Sequence, residues 1–404
     1  MKILHTADWH LGKKLDFYSR MEEQIRVMDE ICQIAEQQQV DLVIIAGDLF
    51  DAFNPPTEAV ELLYKTMKTL TNNGKRPVIA IAGNHDSPSL IDAPNPLARA
   101  CGIVMIGYPN AIVSPFKLPD FEILNAVPGF IEIQLKHIAY PVRIIHTSYA
   151  NELRLKAYLG EENREDALAD VLRQNWQNLA ETYCDAQGVN LLTAHLYMMR
   201  RGGEIPEEPE GEKPIRVGNA DLIYSDIIPP QIQYTALGHL HGYRNVGTAE
   251  RPAVYASSPL AYSFSEAGQQ KFVSIVQVER GENAHLEKIE LKNGRALARK
   301  SFDNVDFAVK WLEEHPDLLV ELTMESEYFL TAEERRKIMQ SHSGIIHLIP
   351  KVKNTGGNLQ EIKEINLDKG LEELFIDYFK TKNDGQEPNE ELMNLLKEVL
   401  AFSN

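Results

Sequence analysis

The sequence is short of cysteine, of long apolar runs and of positive charge. Its three cysteines, Cys32, Cys101 and Cys184, are odd in number and widely spaced, which argues against a disulfide framework and a Cys-x-x-Cys metal site. No apolar run approaches the length of a membrane span, and the first residues lack the apolar core of a signal peptide. We therefore expect buried, reduced thiols and a cytoplasmic protein that does not enter a membrane.

Positive charge is scarce, because 41 Lys and Arg residues stand against 59 Asp and Glu, a formal net charge of −18. Sequence-independent affinity for nucleic acid comes from neutralising phosphates, so this balance disfavours an isolated nucleic-acid binder. Either the substrate is not a nucleic acid, or local basic patches, a partner and bound metal ions compensate. The remaining composition, 44% hydrophobic and 25% charged, is that of an ordinary globular protein, and 404 residues suffice for about two to three domains.

The first part of the chain alternates short apolar runs with segments of helical periodicity. Strands are predicted at residues 2–8, 41–47 and 77–82, with helices at 21–39 and 57–70 between them. This β-α-β-α-β order favours an α/β fold with parallel strands covered by helices. In such sheets the functional groups gather at the carboxyl ends of the strands.

The rest of the chain predicts further units. We expect one or two surface helices within residues 152–183, a strand at 189–193, and the last core strand at 272–278. From about residue 291 to 352 a strand-helix-strand-helix-strand pattern predicts a small α+β domain. The expected domains are thus a core at 1–280, an α+β domain at 285–353, and a linker with a helical pair at 354–404.

Two amphipathic helices are predicted near the end of the chain. Their apolar residues share one face in each helix and are Leu371, Leu374, Phe375, Tyr378 and Phe379, then Leu392, Leu395, Leu396, Val399 and Leu400. The helices either fold back on the core or dock onto an apolar helix of a partner.

Potential metal ligands follow five of the apolar runs. They form the blocks Asp8-x-His10, Asp48-x-x-Asp51, Asn84-His85-Asp86, His195 and His239-x-His241. Imidazole combined with carboxylate and amide oxygen suits manganese, iron or zinc at hydrolytic sites better than calcium. Two such ions, about 3.5 to 4 Å apart, can grip a phosphoryl group and activate a shared water. One carboxylate must bridge the pair, and we assign this role to Asp48, which ends the most apolar strand.

The five blocks, in this order, resemble those of the calcineurin-like metallophosphoesterases. The runs Asp-Trp-His-Leu-Gly-Lys at 8–13 and Ala-Leu-Gly-His-Leu-His at 236–241 are similar to the SbcD family, nuclease subunits that work with the SMC-like ATPase SbcC in DNA-end processing. Tyr-Ala-Ser-Ser-Pro at 255–259 and Ser-Phe-Ser-Glu at 263–266 extend the resemblance, which covers essentially the whole chain. It implies a β-sandwich flanked by helices, a small α+β capping domain and a C-terminal helical pair.

The resemblance also implies roles for individual residues. One divalent ion would take Asp8, His10, Asp48 and His241, and the other would take Asp48, Asn84, His195 and His239. The ions are expected to be Mn²⁺, with Mg²⁺, Fe²⁺ or Zn²⁺ as alternatives. His85 would contact the phosphate or assist the leaving group. Asp86 would either orient His85 or stabilise the turn through nearby backbone groups.

Two positions depart from the family pattern. Asp51 stands where archaeal and eukaryotic relatives usually have a histidine, so a second catalytic imidazole is not available there. Ser257 replaces the glycine that is common in the Gly-Ser-Pro turn. This replacement leaves open where the loop lies and whether Ser258 contacts substrate.

The expected function is a metal-dependent DNA nuclease, of the 3′–5′ double-strand exonuclease and single-strand or hairpin endonuclease type. Its expected partners are DNA and an SbcC-type ATPase bound by the tail helices, with a homodimer inside a heterotetramer. A small-molecule phosphodiesterase or nucleotidase is the alternative that the acidic charge favours. A protein phosphatase is disfavoured because Asp51-Ala52-Phe53 lacks Asp-Arg-Gly. An inert adaptor for an ATPase is disfavoured by the complete ligand set.

Overall fold

The computed structural model describes residues 1–155, 164–203, 222–326 and 330–352, together with the isolated residues 376 and 393. The chain divides into two compact units, of which the first comprises Met1–Met324 and Thr331–Ile349 and the second Glu325–Leu330 and Pro350–Asn404. The predicted linker and helical pair fall in the second unit. Their expected partner-binding residues lie outside the described part of the chain, and these are Leu371, Leu374, Phe375, Tyr378, Leu392, Leu395, Leu396 and Val399.

The described residues form strands and helices in the following chain order. The strands are β1 (Lys2–Thr6), β2 (Lys14–Leu15), β3 (Tyr18–Ser19), β4 (Leu42–Ala46), β5 (Val78–Ile81), β6 (Ile103–Ile106), β7 (Phe121–Val127), β8 (Phe130–Leu135), β9 (Val142–Thr147), β10 (Val189–His195), β11 (Met198–Met199), β12 (Ile223–Tyr224), β13 (Tyr234–Gly238), β14 (Arg244–Asn245), β15 (Ala253–Tyr255), β16 (Lys271–Gln277), β17 (His285–Leu291), β18 (Leu297–Phe302), β19 (Leu319–Ser326) and β20 (Ile345–Val352). The helices are α1 (Met21–Gln37), α2 (Thr57–Leu70), α3 (Pro88–Asp92), α4 (Asn95–Ala100), α5 (Glu152–Leu155), α6 (Arg164–Tyr183), α7 (Val305–Glu314) and α8 (Ala332–Ser341), with 3₁₀ turns at Ser225–Ile227 and Phe264–Glu266.

The predicted β-α-β-α-β start of the chain is confirmed. Strands β1, β4 and β5 run parallel, with Leu4 opposite Val43 and Val43 opposite Val78. All five residues of β4 are buried, as expected for a parallel strand covered on both faces. Helices α1 and α2 join these strands and bury one apolar face each, which includes Met28 in α1 and Leu63 in α2.

Two sheets pack face to face. The first has the order β17-β16-β1-β4-β5-β6 and the second the order β14-β15-β13-β10-β9-β8-β7. Between them lies a buried aliphatic layer that includes Ile44 and Ile79 from one sheet and Ile144 and Leu191 from the other. The outer face of the first sheet packs on α1 and α2, and that of the second packs on α6. This is the expected β-sandwich flanked by helices.

The first sheet extends one strand further than expected. We expected residues 272–278 to be the last core strand and the α+β domain to begin at residue 285. Both expectations are wrong for strand β17, which belongs to the first sheet. Strand β17 pairs antiparallel with β16 over its full length, from His285 opposite Gln277 to Leu291 opposite Lys271. It lies at the edge of the sheet, is rich in charge, and is exposed or half-buried at every residue except Leu291, a composition typical of protected edge strands. Because the sequence of β17 is polar, it does not indicate that this strand belongs to the core sheet.

A three-stranded sheet of β18, β19 and β20 follows, with α7 after β18 and α8 after β19. This is the predicted strand-helix-strand-helix-strand pattern. Its apolar residues Leu297 and Leu319 pack with Leu15 of the β2–β3 hairpin and with Phe264. Within the described residues, no helix is both long and apolar enough to cross a membrane.

Candidate metal centre

The side chains expected as ligands meet at one edge of the two sheets. In the first sheet, Asp8 and His10 follow β1, Asp48 follows β4 and Asn84 follows β5, all at the carboxyl ends of parallel strands. In the second sheet, His195 ends β10 and His239 and His241 follow β13. Strands β10 and β13 are also parallel and pair His195 with Gly238. The topology therefore delivers all seven side chains to the same region.

The backbone at this edge is strained. Asp8, His10, Asp48 and His239 have φ angles of 54°, 44°, 48° and 105°. Residues other than glycine rarely adopt positive φ angles. Hydrogen bonds between the loops hold this conformation, with Asp8 N donating to Gly47 O at 3.0 Å and His10 N to Asp48 O at 2.9 Å. Each such residue costs about 1 to 3 kcal/mol. Strain of this kind concentrates at functional sites.

Two glycines allow the loops to approach each other. A Cβ atom on Gly83 would lie 2.1 Å from Asp48 Oδ1, and one on Gly238 would lie 1.8 Å from Ala46 O. No side chain fits at these distances, so glycine is required by the close approach itself. The glycines that precede Asn84 and His239 in the sequence therefore bring these ligands within reach of Asp48.

The first group of donors comprises Asp8, His10, His241 and Asp48. His10 Nε2 lies 3.5 Å from Asp48 Oδ2 and 3.0 Å from His241 Nε2. Asp8, His10 and Asp48 offer donor atoms within 4.8 Å of one another. Asp8 Oδ1 accepts a hydrogen bond from His239 N at 2.8 Å, whereas its Oδ2 is buried without a partner. A buried carboxylate oxygen without a partner is the environment of a cation ligand.

The second group comprises Asn84, His195 and His239, again together with Asp48. His195 Nε2 and His239 Nδ1 lie 2.9 Å and 3.0 Å from Asn84 Oδ1, and His195 Nε2 lies 3.3 Å from Asp48 Oδ2. His195 Nδ1 contacts Ala46 O at 2.9 Å, which directs Nε2 towards Asn84 and Asp48. The donor atoms of Asp48, His195 and His239 lie within 4.8 Å of one another.

The two groups fit a pair of divalent cations. Ligand atoms about 2.0 to 2.2 Å from one ion lie about 3 Å from each other, which is the spacing found in each group. Both groups include Asp48, the residue that we expected to bridge the ions. The donors are imidazole, carboxylate and amide oxygen, without thiolate, and this mixture suits manganese, iron or zinc.

Burial governs the protonation of these side chains. It raises the pKa of Asp8 to about 7 and lowers the pKa of His10 and of His239 to about 3. Burial also opposes charge on Asp48 and His195, but their mutual attraction overcomes it. The pKa of Asp48 is therefore well below its usual range, and that of His195 rises to about 9. Neutral His10 and His239 retain the nitrogen lone pairs that metal binding requires.

His85 belongs to neither of these two groups, but His10, Asp51 and His85 also offer donor atoms within 4.8 Å of one another. Its Nδ1 lies 2.9 Å from Asp51 O, which only accepts hydrogen bonds, so Nδ1 donates and Nε2 stays available. Its backbone N donates to Asp48 Oδ1 at 2.9 Å, and its ring meets the His10 ring edge to face at 4.8 Å. Asp51 Oδ1 accepts a hydrogen bond from Lys13 Nζ at 3.0 Å.

Asp86 stabilises the loops rather than the His85 ring. One oxygen, Oδ2, accepts hydrogen bonds from Gly83 N at 2.8 Å and Leu49 N at 3.0 Å, and Oδ1 accepts one from Phe50 N at 2.9 Å. Of the two roles that the sequence left open, the structure shows the backbone one. The described hydrogen bond of the His85 ring goes to Asp51 O instead.

Sequence reasoning missed three buried charged residues that support the centre. Arg154 donates to Gly83 O at 2.7 Å and Asp86 O at 2.8 Å and so holds the loop that carries Asn84. Glu266 and Lys271 lie behind His241. Glu266 stands in the Ser-Phe-Ser-Glu run, which was a usable signal, whereas isolated Arg154 and Lys271 offered none.

Ser257 adopts a left-handed backbone conformation, which favours glycine. Its φ is 75°, and its hydroxyl accepts a hydrogen bond from Phe272 N at 2.9 Å. Ser258 is fully buried, and its N donates to His241 O at 3.1 Å. The loop therefore supports the backbone of an expected ligand.

Comparison with known proteins agrees with this geometry. Residues 1–243 match the family of calcineurin-like phosphoesterases. The fold and the donor set thus define a hydrolase of the metallophosphoesterase class.

The comparison with individual proteins narrows the class. The chain is 34% identical over 410 residues to the SbcD subunit of the SbcCD nuclease from Bacillus subtilis, with 99% of this chain and 98% of that protein aligned. It is 30% identical over 285 residues to the SbcD subunit from Rhodobacter capsulatus, covering 70% and 67%, and 28% identical over 298 residues to that from Escherichia coli K12, covering 74% and 70%. The chain belongs to the SbcD nuclease family of calcineurin-like phosphoesterases.

Proposed function

We propose that the chain hydrolyses DNA phosphodiester bonds at a centre of two divalent ions, with Mn²⁺ as the working metal. The observation that carries the proposal is the pair of donor groups that share Asp48, with His85 beside them. One ion would be held by Asp8, His10, Asp48 and His241, and the other by Asp48, Asn84, His195 and His239. A nucleic acid as substrate is supported by the names of the relatives, which are nuclease subunits, and we infer DNA from the resemblance of the sequence to the SbcD family.

The chain's own residues prepare the site for a charged phosphodiester. Two divalent ions would supply Lewis acidity and make a water nucleophilic near neutral pH. Asp48 is fixed by its bond from His85 N, so the shared carboxylate keeps one orientation. The strained loops and the glycine contacts hold the remaining donors before substrate arrives, and such preorganisation avoids rearrangement during reaction.

His85 is suited to move a proton at the leaving oxygen. Asp51 O fixes Nδ1 as a hydrogen-bond donor, so Nε2 is the atom available to substrate. When the ring is protonated, Nε2 also donates, and it can contact the phosphate and transfer its proton to the departing oxygen. This assistance typically contributes about 10²- to 10⁴-fold in rate.

The acidic charge makes a partner part of the proposal. A chain of net charge −18 has little general attraction for DNA, and the relatives are subunits of a nuclease named SbcCD. We propose that residues 371–404 bind an SbcC-type ATPase, that two copies of the chain join in the assembly, and that it acts in the cytoplasm. Its activities would be 3′–5′ exonuclease on duplex ends and endonuclease on single strands and hairpins.

The direct test compares substrates with and without Mn²⁺. Purified chain, alone and with its ATPase partner, is assayed on labelled linear duplex, hairpin and single-stranded DNA and on bis(p-nitrophenyl) phosphate. Mn²⁺-dependent cleavage of DNA supports the proposal. Hydrolysis of the small diester, with every DNA substrate intact even in the presence of the partner, would favour the small-molecule phosphodiesterase instead.

Two variants test the residue roles. His85→Ala should lose cleavage by at least about 10²-fold and still bind Mn²⁺, whereas Asp48→Asn should lose both. His137→Ala, which removes an exposed histidine bonded to Asp41, is the matched control and should behave as wild type. Equal loss of Mn²⁺ binding in the His85 and Asp48 variants would contradict the assignment.

The tail is tested by deletion. Removal of residues 371–404 should leave hydrolysis of the small diester unchanged and abolish binding of the ATPase, measured by size-exclusion chromatography of the mixture. A truncated chain that still elutes with the ATPase would disprove the assigned docking segment.

A further inference from the structure

Glu266 stands behind an expected ligand and has no part in the proposed proton transfer. Its Oε1 lies 3.3 Å from His241 Nδ1, while Nε2 of the same ring lies 3.0 Å from His10 Nε2. The ring thus presents one nitrogen to the first donor group and the other to a carboxylate. We propose that Glu266, fixed by Lys271, is a positioning residue that holds His241 in the orientation and tautomer needed to bind a cation.

The chemistry of the carboxylate sets the tautomer. An ionised carboxylate only accepts hydrogen bonds, so the single proton of a neutral His241 ring is drawn to Nδ1. Nε2 then carries the lone pair that binds the ion. Such a partner also makes the imidazole more basic. The inference rests on the proposed function, because it takes His241 as a metal ligand.

Lys271 holds both the carboxylate and the main chain of the ligand. Its Nζ donates to Glu266 Oε2, to His241 O at 3.0 Å and to Ser258 Oγ at 3.0 Å. Glu266 Oε1 also accepts a hydrogen bond from Tyr262 N at 3.1 Å. Glu266 and Lys271 are only 4% and 6% exposed, so water does not compete for these bonds. The ring and the backbone of His241 are therefore fixed by one ion pair.

The arrangement is specific to one donor group. In the second group, His195 Nδ1 contacts a neutral backbone carbonyl, Ala46 O, at 2.9 Å and lies 3.7 Å from Asp8 Oδ1, beyond hydrogen-bond distance. His239 turns Nδ1 to Asn84 Oδ1, and its Nε2 is buried without a hydrogen-bond partner among the described residues. Glu266 contacts neither ring in the described hydrogen bonds and ion pairs. Loss of Glu266 should therefore weaken the ion held by His10 and His241 and spare the other one.

The test is Mn²⁺ titration calorimetry on the full-length, metal-free protein. Glu266→Gln keeps the size of the side chain, but its amide can turn an N–H towards Nδ1 and leaves Lys271 without an anion. One of the two Mn²⁺ affinities should fall by about 10- to 100-fold, with little change in the other. Lys271→Met, a second variant, should lower the same affinity. Glu132→Gln, which removes a carboxylate bonded to Arg143 at 2.9 Å, is the matched control and should bind both ions normally.

A double variant separates positioning from folding. In a His241→Ala background, Glu266→Gln should cause no further loss of Mn²⁺ affinity, because its effect acts through that ring. Further loss there, or equal weakening of both ions in the single variant, would overturn the inference. Wild-type affinities in Glu266→Gln would overturn it too, without touching the proposed function. A wild-type chain that binds no Mn²⁺ would contradict both.

Discussion

Asp86 joins the two loops that carry Asp48 and Asn84, and its removal is the sharpest test of how the centre is held. Three backbone N–H groups, at distances of 2.8 to 3.0 Å, end on this one buried carboxylate. Each buried donor left without a partner costs about 1 to 3 kcal/mol. Because water can enter the space left by Asp86→Ala and satisfy some donors, we expect a total loss of about 3 to 5 kcal/mol in the free energy of unfolding.

Asp86→Asn should cost less, because its amide oxygen can still accept the bonds from Gly83 N and Leu49 N. Only Phe50 N then faces an amide nitrogen, for a loss of about 1.5 to 3 kcal/mol. Urea unfolding, followed by tryptophan fluorescence, measures both variants. Asp92→Ala is the matched control, since half-buried Asp92 accepts a single backbone bond, from Gly107 N at 2.7 Å, and should lose about 1 kcal/mol. Equal losses in Asp86→Ala and Asp92→Ala would refute this reasoning.

Three further predictions concern other contacts. Ser257→Ala should lower the free energy of unfolding by about 1 to 2 kcal/mol, because it loses the hydrogen bond to Phe272 N and keeps the strained φ angle. Ser257→Gly relieves the strain and should therefore stay closer to wild type in stability. Urea unfolding that ranks the two variants in the reverse order would contradict this prediction. Gly238→Ala would place its Cβ 1.8 Å from Ala46 O and should lower both the melting temperature and Mn²⁺ affinity, so an unchanged protein would refute the close approach. Burial opposes protonation of His347, but hydrogen bonds to Glu321 and Asp16 raise its pKa above the ordinary value. The stability that protonated His347 contributes should be complete below about pH 6.5 and should vanish as the pH rises through the raised pKa. His347→Gln should therefore lower the free energy of unfolding by up to about 1 kcal/mol at pH 6 and by less at pH 9. A loss in urea unfolding that does not depend on pH would contradict the assigned ion pairs.

The sequence predicts the parts of the fold that periodicity defines. The apolar run of β4 and the helical spacing of α1 and α2 are local patterns, and the structure confirms the units that they predict. Strand β17 escaped prediction because its residues, His-Leu-Glu-Lys-Ile-Glu-Leu, follow the demands of an exposed edge. Pairing with β16 is a property of the sheet, and a single polar strand does not reveal it.

The same distinction, between what the sequence predicts and what only the fold shows, applies to the residues of the site. Ligand types at strand ends can be read from the sequence because parallel strands bring their carboxyl ends together. The residues that fix the ligands cannot, because Arg154, Glu266 and Lys271 act across separations in the chain that only the fold determines. A histidine at a strand is not by itself evidence of a metal ligand. His5 and His146 are fully buried within strands β1 and β9 and belong to neither donor group, and burial lowers the pKa of each to about 3.

We propose that seven side chains hold two ions, with Asp48 shared between them. Crystals grown with Mn²⁺ and measured at the manganese absorption edge test it directly through the anomalous difference map. We expect two peaks, about 3.5 to 4 Å apart, one beside His10 and His241 and the other beside Asn84 and His195. A single peak, or two peaks that do not share Asp48, would contradict it.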